Sequence, residues 1–587
     1  MEYIRLKGLG VSPGIAIGEV YLSDKPIFSE YKERIHPSQI KKEIQRFRNA
    51  LKKTEKQLIE IKNKIKKKLG EEYSFIFEAH LLILKDESLI GEIENIIKKE
   101  KVKTEWALFV VNNKYEKIFQ SIDDSYFKQR FSDIKDVLIR INKNLREDGK
   151  SPALSKGKKI LVCHELPPSD AATVLSRGDI LGVALDMGGQ TSHTAILARS
   201  LNIPAVVGLH NIVNYVKDGD KIILDGTTGE IIINPPSAVI KEFISKKQRY
   251  DDYQKELTKI RFLEPVTLDG FSFSLQGNIE LPEEVELTLS YGGEGIGLFR
   301  SEYLYLHYPD PPTEEKHYTA YFEVAKKAHP YAVVIRTVDI GGEKEIPHLE
   351  IEKEPNPALG LRAIRLFLKR KELFKIQLRA ILRASILKNI KILVPMITQL
   401  EEVKEFKNLL EEVKSEFKKK GKKFDEKIPV GIMIEVPAAA NIVDVLIKEV
   451  DFISIGTNDL IQYYLAVDRT NEFVSYLYQP FHLSILRVLR YVIEVCNREK
   501  KEVTVCGEMA ADPLSALVLL GLGLKNFSMN PVFIPKVKKA LREVEYKEIK
   551  KIVEKALSLK TAQEIEEFIL ESILSKYPQV FLKKPEL

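Results

Sequence analysis

The sequence predicts a multidomain α/β protein: an α/β domain interrupted by an inserted all-helical segment, then a C-terminal (β/α)8 barrel. Three observations carry this. Eight short strand-like runs alternate with helical segments through the C-terminal half. A second set of short apolar runs, punctuated by Gly, Asp and Pro, precedes them. Between Pro37 and Asn144 the apolar residues recur at helical spacing instead.

Composition sets the outer bounds. At about 150 residues per domain, 587 residues suggest about four structural units. A hydrophobic content of 44% supplies a large core and excludes wholesale disorder. The net charge of +7 comes from 91 Lys and Arg against 84 Asp and Glu, and the two signs interleave, as in LKKTEKQLIEIKNKIKKKLG. That pattern is a solvated helix face, and no aromatic-spaced basic platform accompanies it, so no nucleic-acid partner is expected. No run reaches the ~18 apolar residues of a membrane span, and MEYIRLKGLG has no signal-peptide core, so no membrane insertion is expected. Three cysteines (Cys163, Cys496, Cys506) are too few for a disulfide scaffold, which makes the expected location cytoplasmic.

The elements then follow in order. Residues 1–35 read as short strands and turns around Gly8, Gly10, Gly14 and Gly18, the first part of the α/β domain. Residues 36–147 form the helical insert, with Leu51, Leu58 and Ile65 at heptad-like spacing and Ile61 and Leu69 beside them. Residues 148–235 return to strands in KKILVC, ILGVAL, PAVVG, KIILD and EIIIN, completing that domain. Residues 236–262 are a polar linker helix. Residues 263–575 hold the barrel, with strands in FSFSLQGN, GIGLFR, AVVIRTV, KILVPM, VGIMIE, FISIGT, VTVCGE and NFSMN, and residues 576–587 a C-terminal tail.

In a barrel the C-terminal strand ends converge on one mouth. Here they carry Asn278, Arg300, Arg336, Met396, Glu435, Asn458 with Asp459, Cys506 and Ser528. Arg300 and Arg336 offer planar forks for phosphate or carboxylate. Glu435 and Asp459 are hard oxygen donors suited to Mg²⁺ shared with substrate oxygens and water. Two cation sites beside a divalent metal imply a small substrate with both phosphate and carboxylate groups. Arg362, in the loop NPALGLR, either joins the site or serves structure, whereas Arg365, Arg379 and Arg383 sit on helices as salt-bridge formers. Cys506 is either inert barrel filling or, if surrounding cations lower its pKa, a proton donor or acceptor.

A second centre is GGQTSHTAILARS, residues 188–200. Two glycines permit a tight turn, Thr191 and Ser192 favour a helix start, and His193 falls in the first helical turn. Unpaired N–H groups there favour a neutral imidazole and stabilise a phosphoryl group placed on it. His164, His210 and His348 lack such a setting and read as structural. No CxxC, HExxH, Walker loop or dinucleotide fingerprint is present.

These motifs, with EGIGLFRSEYLY, RTVDIGGEKE, NPALGLRAIR, QLRAILRAS, GIMIEVPAA, GTNDLIQYYLAVDR and VCGEMAAD in order, resemble the enzyme I family of bacterial phosphotransferase systems. The similarity runs to about residue 575. The resemblance implies a swivelling phosphohistidine domain with His193 as the carrier. It implies phosphoenolpyruvate held by Arg300, Arg336, Arg469 and the backbone near Asn458. Glu435 and Asp459 would hold Mg²⁺, and Cys506 would protonate the enolate carbon to release pyruvate. The inserted helices would dock the phosphocarrier HPr, through segments FEAH ending at His80 and RFSDIKD starting at Arg130, and the barrel would form a homodimer. The implied reaction is phosphoryl transfer from phosphoenolpyruvate through His193 to HPr, the first step of sugar phosphotransferase transport. The competing readings are a nitrogen-branch paralogue serving a regulatory carrier and a weakened HPr-docking protein. Dikinases sharing the TSH motif need a nucleotide-binding region that the 150 or so residues before Lys158 do not supply. Two positions depart from the family pattern: Gln190 replaces the arginine of GGRTSH, and Ala171 replaces a threonine.

Overall fold

The computed structural model describes residues 3–23, 31–69, 75–120, 125–145, 158–175, 178–189, 192–306, 311–341, 354–471 and 473–582. They divide into two compact units, with the division between Asp252 and Tyr253.

The first unit is built on an eight-stranded sheet ordered β1-β8-β7-β3-β4-β5-β6-β2. Its strands are β1 (Ile4–Lys7), β2 (Leu9–Ser12), β3 (Ile15–Leu22), β4 (Lys159–Cys163), β5 (Ile180–Leu185), β6 (Ala205–Val207), β7 (Lys221–Asp225) and β8 (Glu230–Ile233). The central strands β3 to β6 pair in parallel, and antiparallel strands flank them. Five helices lie between β3 and β4: α1 (Ile40–Leu69), α2 (Phe75–Leu84), α3 (Glu87–Glu100), α4 (Thr104–Gln120) and α5 (Ser125–Leu145). Because β3 and β4 are parallel neighbours with Glu19 opposite Lys159, the helical segment occupies a crossover and leaves the sheet register intact.

Side-chain alternation explains how one strand serves two cores. In β4, Ile160 and Val162 face a cluster with Val20, Ala184 and Val206, while Leu161 and Cys163 face the opposite cluster. That second cluster continues into the helices through Phe47, Leu58, Ile65 and Phe77, so insert and sheet face share one apolar core. Of the heptad-spaced residues, Leu58 and Ile65 are buried, and Leu51 and Ile61 half-buried. The side chain of Leu69 lies outside the described residues. Two short helices, α6 (Pro168–Leu175) and α7 (His193–Ser200), complete this face. The linker is one helix, α8 (Ser237–Ile260), whose only buried residue is Phe243, and the division between the units falls inside it.

The second unit is a closed barrel of eight parallel strands. These are β9 (Ser274–Ile279), β10 (Ile296–Arg300), β11 (Val333–Arg336), β12 (Ile390–Val394), β13 (Val430–Ile434), β14 (Phe452–Ile455), β15 (Glu502–Val505) and β16 (Asn526–Met529). The ring closes by pairing β16 with β9, Ser528 opposite Gln276. Leu298, Val334, Leu393, Met433, Phe452 and Cys506 form the interior cluster, and their neighbours Ile335, Ile392 and Ile432 pack outward against the helices. All eight runs picked out in the sequence are strands of this barrel.

The expectation of a tail from residue 576 needs correcting. Tyr577 and Val580 are buried in the barrel core, and the Tyr577 hydroxyl accepts from the Glu545 N–H at 3.3 Å, because a short helix, Gln579–Leu582, folds back there. Among the described residues no helix is long and apolar enough to cross a membrane.

Candidate active site

The barrel strands end in a cavity of about 600 Å³ lined by Arg300, Arg336, Arg362, Glu435, Asn458, Asp459, Arg469 and Cys506. Of the strand-end residues singled out from sequence, all but Met396 and Ser528 line this one opening, Asn278 among them. Their convergence follows from strand polarity: eight parallel strands point all C-terminal ends the same way.

Arg336 ends β11 and is buried, donating to Glu302 Oε1 at 2.7 Å, with Asp339 at 3.6 Å. Burial opposes its charge, but Glu302, Asp339 and Glu435 outweigh that and hold the guanidinium ionised more firmly than in water. Arg300 is more open and reaches Glu280 Oε1 at 3.4 Å. Both arginines keep a buried Nε without a hydrogen-bond partner, as does Oε2 of Glu302. Guanidinium donors left unpartnered beside the cavity suit an anionic guest.

Arg362, left open in the sequence, is part of the site. It forms a two-pronged pair with Asp339 at 3.1 and 2.8 Å and reaches Asp459 at 3.3 Å and the Tyr463 hydroxyl at 2.8 Å. Asp339 and Glu302 are the residues the sequence reading missed. Both stood in motifs already quoted, RTVDIGG and GLFRSEY, yet nothing local marks a carboxylate as the counter-charge of an arginine dozens of residues away. By contrast Arg379 and Arg383 pair with Glu314 and Arg365 with carbonyls of Leu359 and Gly360, all as structural contacts.

Glu435 is fully buried one residue beyond β13 and accepts the Met396 N–H at 2.6 Å. Met396 adopts φ 60, the left-handed region, which aims that N–H at the carboxylate. Burial pushes the Glu435 pKa up to about 8, with Asp459 and Asp339 adding to the shift and Arg336 and Arg362 opposing it. A buried carboxylate with surplus negative charge and a second carboxylate close by fits a divalent cation of the Mg²⁺ type. Among the described residues no group of three or more His, Cys, Asp or Glu surrounds a metal position.

Asn458 spends its side chain on Glu508: its amide donates at 3.1 Å and its oxygen accepts the Glu508 N–H at 2.8 Å. Arg469 lies exposed on the rim, its N–H 3.4 Å from Gln462 Oε1. Cys506 faces the barrel interior, with the Ser454 hydroxyl donating to its sulfur at 3.3 Å. The condition attached to one of its two readings, a pKa lowered by surrounding cations, is not met: burial pushes the thiol up, and Ser454, Arg300 and Arg336 only partly offset this. A thiol shifted upward in this way suits donating a proton better than accepting one.

In the first unit, α7 begins at His193 with Ser192 as its cap, the Ser192 hydroxyl accepting the Ala195 N–H at 3.3 Å. The next residue is anchored too, the Thr194 hydroxyl donating to the Leu166 carbonyl at 2.9 Å. The His193 side chain, with Gln190 and Thr191, lies outside the described residues. Ala171 is buried in α6.

His80 requires a correction. It has no exposed surface, with Nε2 3.2 Å from Asp133 and Nδ1 3.5 Å from Asp136, the latter too poorly aligned for a hydrogen bond. Asp136 in turn accepts from the Ser169 N–H at 2.9 Å and hydroxyl at 2.6 Å. A side chain sealed this way joins α2, α5 and α6 and cannot touch a partner protein directly. Arg130 lies in α5, and its side chain is outside the described residues.

Three family models match the chain: PEP-utilising enzyme, N-terminal, over residues 7–130; the mobile domain over 155–229; and the PEP-binding domain over 254–546. The chain is 41% identical to the phosphoenolpyruvate-protein phosphotransferase of Staphylococcus carnosus (strain TM300) over 568 residues, 97% of this chain and 99% of that protein. It is 42% identical to the Bacillus subtilis (strain 168) protein of the same name, with the same two shares. The corresponding protein of Geobacillus stearothermophilus is 42% identical over 565 residues, 96% of this chain and 97% of that one.

Proposed function

Because the chain belongs to the phosphoenolpyruvate–protein phosphotransferase family, we propose that its barrel mouth and His193 carry out the two halves of that family's reaction. The enzyme transfers the phosphoryl group of phosphoenolpyruvate to the phosphocarrier HPr and releases pyruvate. One observation carries the assignment of the site: Arg300, Arg336, Arg362, Glu435, Asp459 and Cys506 converge on a single cavity.

In our reading Arg300 and Arg336 take the phosphate, Arg469 and the backbone at Asn458 close around it from the rim, and Glu435 and Asp459 hold Mg²⁺. A metal held there would supply positive charge to offset the charge of the transferring group. The protein's own work is positioning. Arg336, backed by three carboxylates, needs no reorganisation when charge develops on the bridging oxygen. An imidazole nitrogen of His193 forms the bond to phosphorus as the bond to the enol oxygen breaks. The enolate carbon then takes the proton of the Cys506 thiol, giving pyruvate. The α7 N-terminus supports the phosphorylated histidine.

A raised thiol pKa keeps this donor loaded to higher pH than a free cysteine would be. Single-turnover pyruvate formation should therefore stay flat through neutral pH and fall only above the ordinary thiol value of about 8.5, as the thiolate forms. Cys506→Ser, a far weaker acid, should lower it about 10²–10⁴-fold. A decline that sets in below pH 7 would remove Cys506 from the role.

We assign the helices α1–α5 to HPr docking. One imidazole cannot serve a barrel mouth and a carrier protein at once, so we infer that the unit bearing His193 moves during the cycle. A homodimer through the barrel is part of this proposal, supported by exposed Phe473, Tyr476 and Leu477 on one segment. A cytoplasmic location is supported by a cysteine content of three, too few for a disulfide scaffold.

The test is incubation with ³²P-labelled phosphoenolpyruvate and Mg²⁺, followed by HPr. Acid-labile label should form on the enzyme, chase onto HPr, and fail to form after chelation until Mg²⁺ is restored. Label that forms but does not chase would assign a different carrier.

A further inference from the structure

Behind the two phosphate-facing arginines lies a buried polar side chain that the reaction as described does not use. Gln377 sits on the outer helix Lys371–Ala384, an amphipathic helix whose other buried residues include Phe374, Leu378 and Ile381. It has no exposed surface. A buried amide amid such neighbours needs all its hydrogen bonds met, and here they go to two separate strand ends.

The Gln377 carbonyl accepts the Val338 N–H at 3.2 Å, two residues beyond Arg336. Its amide donates to the Ser301 hydroxyl at 3.3 Å, one residue beyond Arg300. The Ser301 hydroxyl then donates to the Arg336 carbonyl at 3.5 Å, tying the end of β10 to the end of β11. The second amide hydrogen goes to the Tyr321 hydroxyl at 2.9 Å, which donates to His317 Nδ1 at 2.9 Å. His317 is neutral, since burial lowers its pKa to about 3, so Nδ1 is free to accept. The hydrogens therefore run one way, outward from Gln377 along both branches, and the amide orientation is fixed by the Val338 N–H.

We propose that Gln377 is a positioning residue for phosphoenolpyruvate: through Ser301 and Val338 it sets the separation of Arg300 and Arg336. The proposal rests on the reading of those arginines as the phosphate clamp. A two-point clamp is sensitive to the spacing of its halves, and displacements near 1 Å at such positions cost on the order of 10²-fold in rate. The Tyr321–His317 branch leads away from the mouth and only anchors the amide.

Steady-state kinetics of phosphoryl transfer and direct calorimetric binding of phosphoenolpyruvate test this. Gln377→Met keeps the volume of the side chain and removes the donors and acceptor. It should raise KM for phosphoenolpyruvate about tenfold or more while leaving KM for HPr within about twofold. Ser301→Ala should shift KM in the same direction, and the double variant should fall short of the summed effects. Tyr321→Phe should leave KM for phosphoenolpyruvate within about twofold. A folded Gln377→Met enzyme that binds phosphoenolpyruvate like wild type overturns the proposal, as does a parallel rise in both KM values. Should Gln377→Met fail to fold, an unchanged KM in Ser301→Ala overturns it alone. Wild-type enzyme that binds no phosphoenolpyruvate would instead overturn the functional reading beneath it.

Discussion

His193→Ala should abolish phosphoryl transfer entirely: no acid-labile label on the enzyme from phosphoenolpyruvate, and none on HPr. Without the imidazole the nitrogen assigned to the covalent intermediate is gone. The variant should still fold. Alanine is the best helix former, position 193 is the first residue of α7, and the cap that starts the helix belongs to Ser192. Binding of phosphoenolpyruvate and Mg²⁺ should persist, because every barrel candidate belongs to the second unit. Calorimetry on the variant therefore separates loss of the nucleophile from loss of the substrate site. Label appearing at wild-type rate would remove His193 from the mechanism.

Arg336→Ala should be nearly as severe and for a different reason. The side chain is buried and surrounded by Glu302, Asp339 and Glu435, each at most 5% exposed. Its removal deletes half of the phosphate clamp and leaves Glu302 buried without the guanidinium that pairs with it at 2.7 Å. The first effect should lower kcat/KM by about 10²–10³-fold or more. The second should cost about 3–5 kcal/mol of stability, as when one member of a buried ion pair is removed. Arg336→Lys should rescue little, since a single ammonium cannot reproduce the fork. Adding Glu302→Gln to Arg336→Ala should recover part of the stability and none of the activity. Thermal melts and kinetics on the same preparations read both. Recovery of activity along with stability would show that Arg336 is only a structural counter-ion.

Much of this was legible in the chain. The barrel strands announced themselves because each is a short apolar run bounded by turn residues, a local signal that survives without partners. Convergence of Arg300, Arg336, Glu435, Asp459 and Cys506 followed from strand order alone, since parallel strands around a ring share one mouth. The helical insert showed in its period, and its position between β3 and β4 followed from the strand-like runs on either side.

Other features depended on residues distant in sequence. His80 read as a surface residue because its helical segment resembles a docking element, but Asp133 and Asp136, more than fifty positions on, enclose it. Arg362 stayed undecided until Asp339 and Asp459 were seen on either side of it. The direction of the Cys506 shift could not be read from charge alone, because nearby arginines lower a thiol pKa and burial raises it.

The sequence by itself determined the order and type of the elements, the barrel, and the chemistry placed at its mouth, because periodicity and strand polarity are local properties. The tertiary structure decided which charges are paired, which groups are sealed from water, and which outer side chain steadies the arginines. Those outcomes depend on burial and on distances between residues far apart in the chain, which no local pattern encodes.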